Sequence, residues 1–135
     1  MANKTERHIA LVTGGSRGIG EAICRRVARD GVSVLVAARS KEQCAAVAGS
    51  IRAGGGTAWP LALDVADPAS IAAALEEARK LTGPFGSIDW LVNNAGIAES
   101  APFTDERREA RFQRHFETNF HGARRMIEAL VPAMK

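Results

Sequence analysis

The chain has 135 residues, a formal net charge of +3, 46% hydrophobic residues and 24% charged residues. That is the make-up of one globular domain long enough to bury a core. It excludes a strongly basic nucleic-acid binder, and no apolar run approaches the roughly 20 residues that a helix needs to span a bilayer.

The polar start, Met1 to His8, has neither the apolar core nor the small-residue cleavage pattern of a signal peptide, so the chain is expected to be cytoplasmic. His8–Thr13 is a short apolar run that ends in glycines and predicts a buried strand. Gly18–Asp30 places Ile19, Ala22, Ile23 and Val27 at helical spacing, with Gly31 as the stop. Val32–Ala37 predicts a second strand, Ser40–Ala53 a helix ended by glycines, and Thr57–Leu63 a third strand. Asp67 before Pro68 is a good N-cap and first helical residue, and the helix it starts runs to about Leu81. Ile88–Val92 predicts a fourth strand. A helical pattern then extends from near Thr104 to near Met134, with Phe112, Phe116 and Phe120 as an ordinary core stripe.

Strands alternating with helices of about a dozen residues predict an α/β fold with a parallel sheet and helices on both faces. The expected architecture is a Rossmann-type doubly wound parallel sheet, incomplete, with strand order 3-2-1-4. One domain over residues 1–135 is expected, stopping before a fifth strand.

Cys24 and Cys44 form no CxxC pair and read as reduced, packed thiols. His8, His115 and His121 share no ligand spacing with cysteines or carboxylates, so no metal site is expected. Six arginines late in the chain are interleaved with Glu106, Glu109, Glu117 and Glu128, the pattern of a solvated helix face rather than of a nucleic-acid site.

The turn after the first strand reads Thr13-Gly14-Gly15-Ser16-Arg17-Gly18-Ile19-Gly20. It leaves a strand and enters a helix, the setting of a phosphate-binding loop: glycines let the backbone approach a ligand and the helix offers free N–H groups. By itself the turn is equally well a tight connection. Its TGxxxGxG spacing, Asp64-Val65 after the third strand, Asn93-Asn94-Ala95-Gly96 after the fourth and Asn119 in the last helix together resemble the classical short-chain dehydrogenase/reductase family, and among its members the 3-oxoacyl (carrier-protein or CoA) reductases.

The resemblance implies a nicotinamide cofactor held by Gly14, Ser16, Arg17, Gly18, Ile19 and Gly20, with Asp64 and Val65 beside the adenine. Asp64 at a strand's carboxyl end fits that role, and capping the local turn is its structural alternative. Asn93, Ala95 and Gly96 are expected near the ribose, one of the two asparagines holding backbone and the other facing the ligand. Asn119 is expected to hold a water of the proton relay, as the catalytic residue within this chain. At the end of the second strand Ala38 replaces the acid that would bind a ribose 2′-hydroxyl, and Arg39 and Ser40 follow. Arg17 and Arg39 without a carboxylate describe a 2′-phosphate pocket, so the expected cofactor is NADP.

The family's remaining catalytic set is a serine and a YxxxK pair on a fifth strand and the next helix, and this sequence contains no tyrosine. Ser87 and Lys135 are poor stand-ins. Three readings stay open: part of an NADP-dependent carbonyl reductase or alcohol dehydrogenase whose second half is supplied elsewhere, a non-catalytic nucleotide-binding module, or an inactive product of an interrupted gene. The expected partners are a small carbonyl or alcohol substrate, a second polypeptide carrying the missing half, and further copies of the chain through the long helix.

Overall fold

The structure is a computed structural model that describes residues 7–83 and 86–134; the polar N-terminal run up to residue 6 and Lys135 lie outside them. Four strands alternate with helices: β1 (Ile9–Thr13), α1 (Gly18–Arg29), β2 (Ser33–Ala38), α2 (Lys41–Ala53), β3 (Ala58–Ala62), α3 (Pro68–Thr82) and β4 (Trp90–Val92). They form one sheet in the order β3-β2-β1-β4, and every pairing is parallel. Leu11 lies opposite Leu35 on one side and Leu91 on the other. The expected strand order is the one found.

Alternation along the strands divides the core in two. Ile9, Leu11, Leu35 and Leu61 face α3 through Ile71, Ala74 and Ala78. Val12, Val34 and Val36 face the other way, onto Cys24 of α1 and Cys44, Val47 and Ala48 of α2. β1 is buried on both faces, as a central parallel strand must be. Pro60 is tolerated because β3 is an edge: Thr57 O and Leu63 N face β2, which leaves the imino nitrogen of Pro60 on the open side. Both cysteines are buried and free. Burial, with a smaller contribution from Cys44 nearby, pushes the Cys24 thiol up to about 12, which makes it an inert packing group.

Helix ends follow the expected chemistry. The Ser40 hydroxyl accepts from Gln43 N at the start of α2, and the Asp67 carboxylate accepts from Ala69 N ahead of Pro68. α1 is different, because Arg17 at its N-cap position makes no side-chain cap.

The last helix departs from expectation. It begins at Arg108 as α4 (Arg108–His115), widens into a π-helical stretch (Phe116–Gly122), returns to α-helix as α5 (Ala123–Leu130) and closes in a short 3-10 turn (Val131–Ala133) containing Pro132. A π turn takes in an extra residue and rotates everything downstream. Here it brings Gly122 against Val65, so close that a Cβ would stand 2.7 Å from Val65 Cγ2, and it turns Met126 and Leu130 into the core. The Phe112, Phe116 and Phe120 stripe is therefore not core. The three rings lie on the outer face, 60%, 55% and 58% exposed, with successive ring centroids 6.2 and 6.5 Å apart. β4 is shorter than the expected Ile88–Val92 and only half-buried, because it is an edge strand paired on β1 alone. Among the described residues no helix is long and apolar enough to cross a membrane.

Candidate functional site

The carboxyl ends of β1 and β4 lie side by side, and the chain leaves them in opposite directions, toward α1 and toward the loop before α4. In an open parallel sheet this divergence creates a crevice. Thr13, the last residue of β1, holds its two walls together. Its buried hydroxyl donates to Val92 O (3.4 Å) and accepts from Asn94 N (3.0 Å) and Ala95 N (2.9 Å). Asn94 Nδ2 then donates to Gly14 O (3.2 Å), so the turn after β4 is bolted to the glycine turn after β1.

The glycines divide their work. Gly18 has φ +56°, a left-handed backbone, and a Cβ there would meet nothing within 4 Å. Its open side is the crevice, the space a ligand backbone or phosphate needs. Gly20 is buried behind the turn, and a Cβ there would overlap Gly14 O. It lets α1 start directly under the loop.

The crevice has a volume of about 1460 Å³. That exceeds the usual few hundred to 1,000 Å³ of a drug-sized site and suits an extended ligand. Of the residues expected at a cofactor, Gly14, Ser16, Arg17, Gly18, Ile19, Arg39, Ser40, Asp64, Val65, Ala95 and Gly96 line it. Gly20, Asn93 and Asn119 do not. Asn94 rather than Asn93 is the asparagine that holds backbone, and the exposed Asn93 side chain makes no hydrogen bond among the described residues. Asn119 sits in the π stretch, where its amide closes a pair of bonds to one residue: Oδ1 accepts from Ile97 N (2.8 Å) and Nδ2 donates to Ile97 O (2.9 Å).

Two lining side chains are committed to local structure. Asp64 Oδ1 accepts from Ala66 N (3.0 Å) while Asp64 N donates to Ser70 Oγ (2.8 Å), so this carboxylate does cap its turn. Its second oxygen makes no hydrogen bond among the described residues. Ser40 is the cap of α2. Arg17 and Arg39 are the opposite case. Both are exposed at the crevice rim, and neither has an ion pair or side-chain hydrogen bond among the described residues. Ser16 Oγ and Gln43 Oε1 (3.5 Å) complete that rim.

The far end of the crevice is charged and internally paired. Glu99, on the loop after β4, accepts from Arg114 Nη2 (2.9 Å), which holds its carboxyl below the usual range. Asp105 is held low first by the Arg107 backbone N–H and then by Arg111 Nη2, and Glu117 by Arg125 Nη2 (2.7 Å). Sequence reasoning missed this end. Glu99, Gln113, Arg114, Glu117 and Thr118 carry no local signal and meet only when the loop folds back on the helix. Thr13 did carry one: a hydroxyl residue closing a buried strand must find partners.

The residues present fit an extended, anionic dinucleotide. The N-terminus of α1 has no side-chain cap, the Gly18 backbone is open to the crevice, and Arg17 and Arg39 have no counter-ion among the described residues. No cluster of metal-ligating side chains occurs among the described residues.

Comparison with known proteins agrees. The family model for short chain dehydrogenase matches residues 8–135, and the chain belongs to this oxidoreductase family. It is 40% identical over 125 residues to a sorbitol dehydrogenase of Cereibacter sphaeroides, which covers 93% of this chain and 46% of that protein. It is 39% identical over 129 residues to the 3-oxoacyl-[acyl-carrier-protein] reductase FabG of Escherichia coli, covering 96% and 50%. Among solved structures, a 3-ketoacyl-(acyl-carrier-protein) reductase from Brucella melitensis complexed with NADH superposes with a TM-score of 0.80 at 34% identity, over 93% of this chain and 49% of that one. The chain spans about half the length of the curated relatives it matches.

Proposed function

We propose that this chain forms the NADP-binding part of a short-chain reductase that interconverts a small carbonyl compound and its alcohol. NADP, when bound, supplies or accepts the hydride. Gly14 and Gly18 admit the pyrophosphate to the N-terminus of α1, Asp64 and Val65 border the adenine, and Ala95 and Gly96 border the ribose.

The observation that carries the choice of NADP is the rim of the crevice. Arg17 and Arg39 line it without counter-ions among the described residues, and Ala38 stands where an acid would have repelled a 2′-phosphate. Titration of the chain with NADP⁺ and NAD⁺ tests it. NADP⁺ should bind tighter, and Arg39→Asp should weaken NADP⁺ by about 1–3 kcal/mol and spare NAD⁺. Equal affinities in the unsubstituted chain would remove the phosphate pocket.

Asn119 is the member of the family's catalytic set that these residues supply, and the family's YxxxK pair is not among them. The outward Phe112, Phe116 and Phe120 column supports association with further copies through the long helix. A cytoplasmic setting suits two reduced cysteines.

A further inference from the structure

Residues 97–105 are irregular, yet they are fastened to the last helix at successive turns. Asn119 takes the backbone of Ile97, His115 the backbone of Glu99, Arg114 the Glu99 carboxylate and Arg111 the Asp105 carboxylate. Ile97 and Glu99 are wall residues of the crevice. Three of these four fasteners are amides or permanently charged guanidinium groups. The His115 fastener is the exception.

The two hydrogen bonds of His115 fix its protonation. Nε2 receives the Glu99 N–H (3.0 Å), so it carries a lone pair. Nδ1 lies 2.7 Å from Arg111 O, an atom that can only accept, so Nδ1 carries the proton. The ring is therefore the neutral Nδ1–H tautomer. A second proton on Nε2 would face the Glu99 N–H, donor against donor, and the bond could not survive.

We infer that His115 is a positioning residue that holds the Glu99 backbone at the wall of the cofactor crevice only while it is neutral, so that mild acid breaks this one fastener and weakens cofactor binding. The inference rests on the cofactor reading given above. The charged groups facing the ring do not oppose it. On the loop these are Glu99 and Asp105, on the helix Arg111 and Arg114, and the two carboxylates are already spent on the two arginines at 2.9 and 2.6 Å.

The test uses the full chain, NADP⁺ as probe, and His115→Gln as a variant that cannot titrate. NADP⁺ affinity is measured at about pH 7.5 and about pH 5.5, with hydrogen exchange at the Glu99 amide followed in parallel. Unsubstituted protein should lose roughly two- to tenfold in affinity at the lower pH beyond any loss in the variant, the scale of one hydrogen bond. The variant comparison cancels the titration of the 2′-phosphate itself and of His8 and His121. Protection of the Glu99 amide, corrected for intrinsic exchange, should fall over the same interval, and nitrogen shifts of His115 should report the Nδ1–H tautomer at neutral pH. An Nε2–H tautomer, unchanged Glu99 protection, or equal pH dependence in the two proteins would overturn the inference. Failure of NADP⁺ to bind at either pH would instead overturn the cofactor reading, and the exchange and tautomer measurements would still decide whether the clasp exists.

Discussion

At the level of single residues, the glycine turn separates two roles that one motif runs together. Gly18 keeps a left-handed backbone open toward the crevice, whereas Gly20 keeps α1 close beneath Gly14. Substitution should separate them. Gly20→Ala forces the loop away from the helix and should lower stability by about 1–3 kcal/mol, with binding lost as a consequence. A Cβ at Gly18 meets no protein atom within 4 Å, so Gly18→Val should cost mainly backbone strain in stability while abolishing NADP⁺ binding, since its side chain occupies the ligand's space. Melting curves and titrations on the two variants check this, and matched losses in both would mean that the turn works as one unit. The spacing of these glycines was legible in the sequence. The burial of Gly20 was not, because it depends on where α1 sits after the turn. The same holds for the asparagine pair: adjacent and chemically identical in sequence, they are told apart only by Gly14 O, 80 positions earlier, which reaches Asn94.

At the level of elements, the strands and the first three helices were readable because each carries its own punctuation, such as Asp67-Pro68 or the glycines after α2. The last helix was not. Its pattern of apolar residues is continuous, and nothing in a one-dimensional period shows an extra residue per turn. What fixes the π stretch is tertiary: Gly122 against Val65 and Asn119 against Ile97. The ion pairs that accompany it carry a pH prediction distinct from that of His115. Glu99, Asp105 and Glu117 all have carboxyl pKa values depressed in the folded chain, chiefly by hydrogen bonds to Arg114, to the Arg107 backbone and to Arg125. A depressed value means stability that is fully present above the ordinary carboxylate range and is lost as pH falls through the folded values. Denaturation midpoints should therefore drop as pH falls below the ordinary carboxylate range, and Glu99→Gln should flatten that drop. Because Glu99 and Glu117 are open to solvent, their share of the slope should also shrink in high salt.

For the molecule as a whole, the sheet order and the layering followed from alternating strands and helices together with right-handed crossovers. What the sequence pattern concealed was how much surface stays open: a three-residue β4 at the sheet edge and an outward phenylalanine column. Binding and catalysis should divide along that boundary. Hydride addition to a carbonyl leaves an alkoxide that needs a placed proton donor, and the sequence holds no tyrosine. The chain mixed with NADPH and a simple ketoacyl substrate should consume no cofactor above the enzyme-free rate. Addition of a polypeptide bearing the serine and YxxxK should start turnover, and turnover without it would relocate the proton source. The central position of β1 has a further consequence, for the order of assembly. Its left neighbour β2 is synthesised within about two dozen residues, but its right neighbour arrives only when Asp89 reaches Ile9, 80 residues later, and Thr13 meets Asn94 after that. Until then a nascent chain holds a three-stranded sheet with its most apolar strand as a naked margin, and its nucleotide cleft has one wall. On the ribosome, the segment that brings the second wall to the cleft is also the one that covers the open margin of β1.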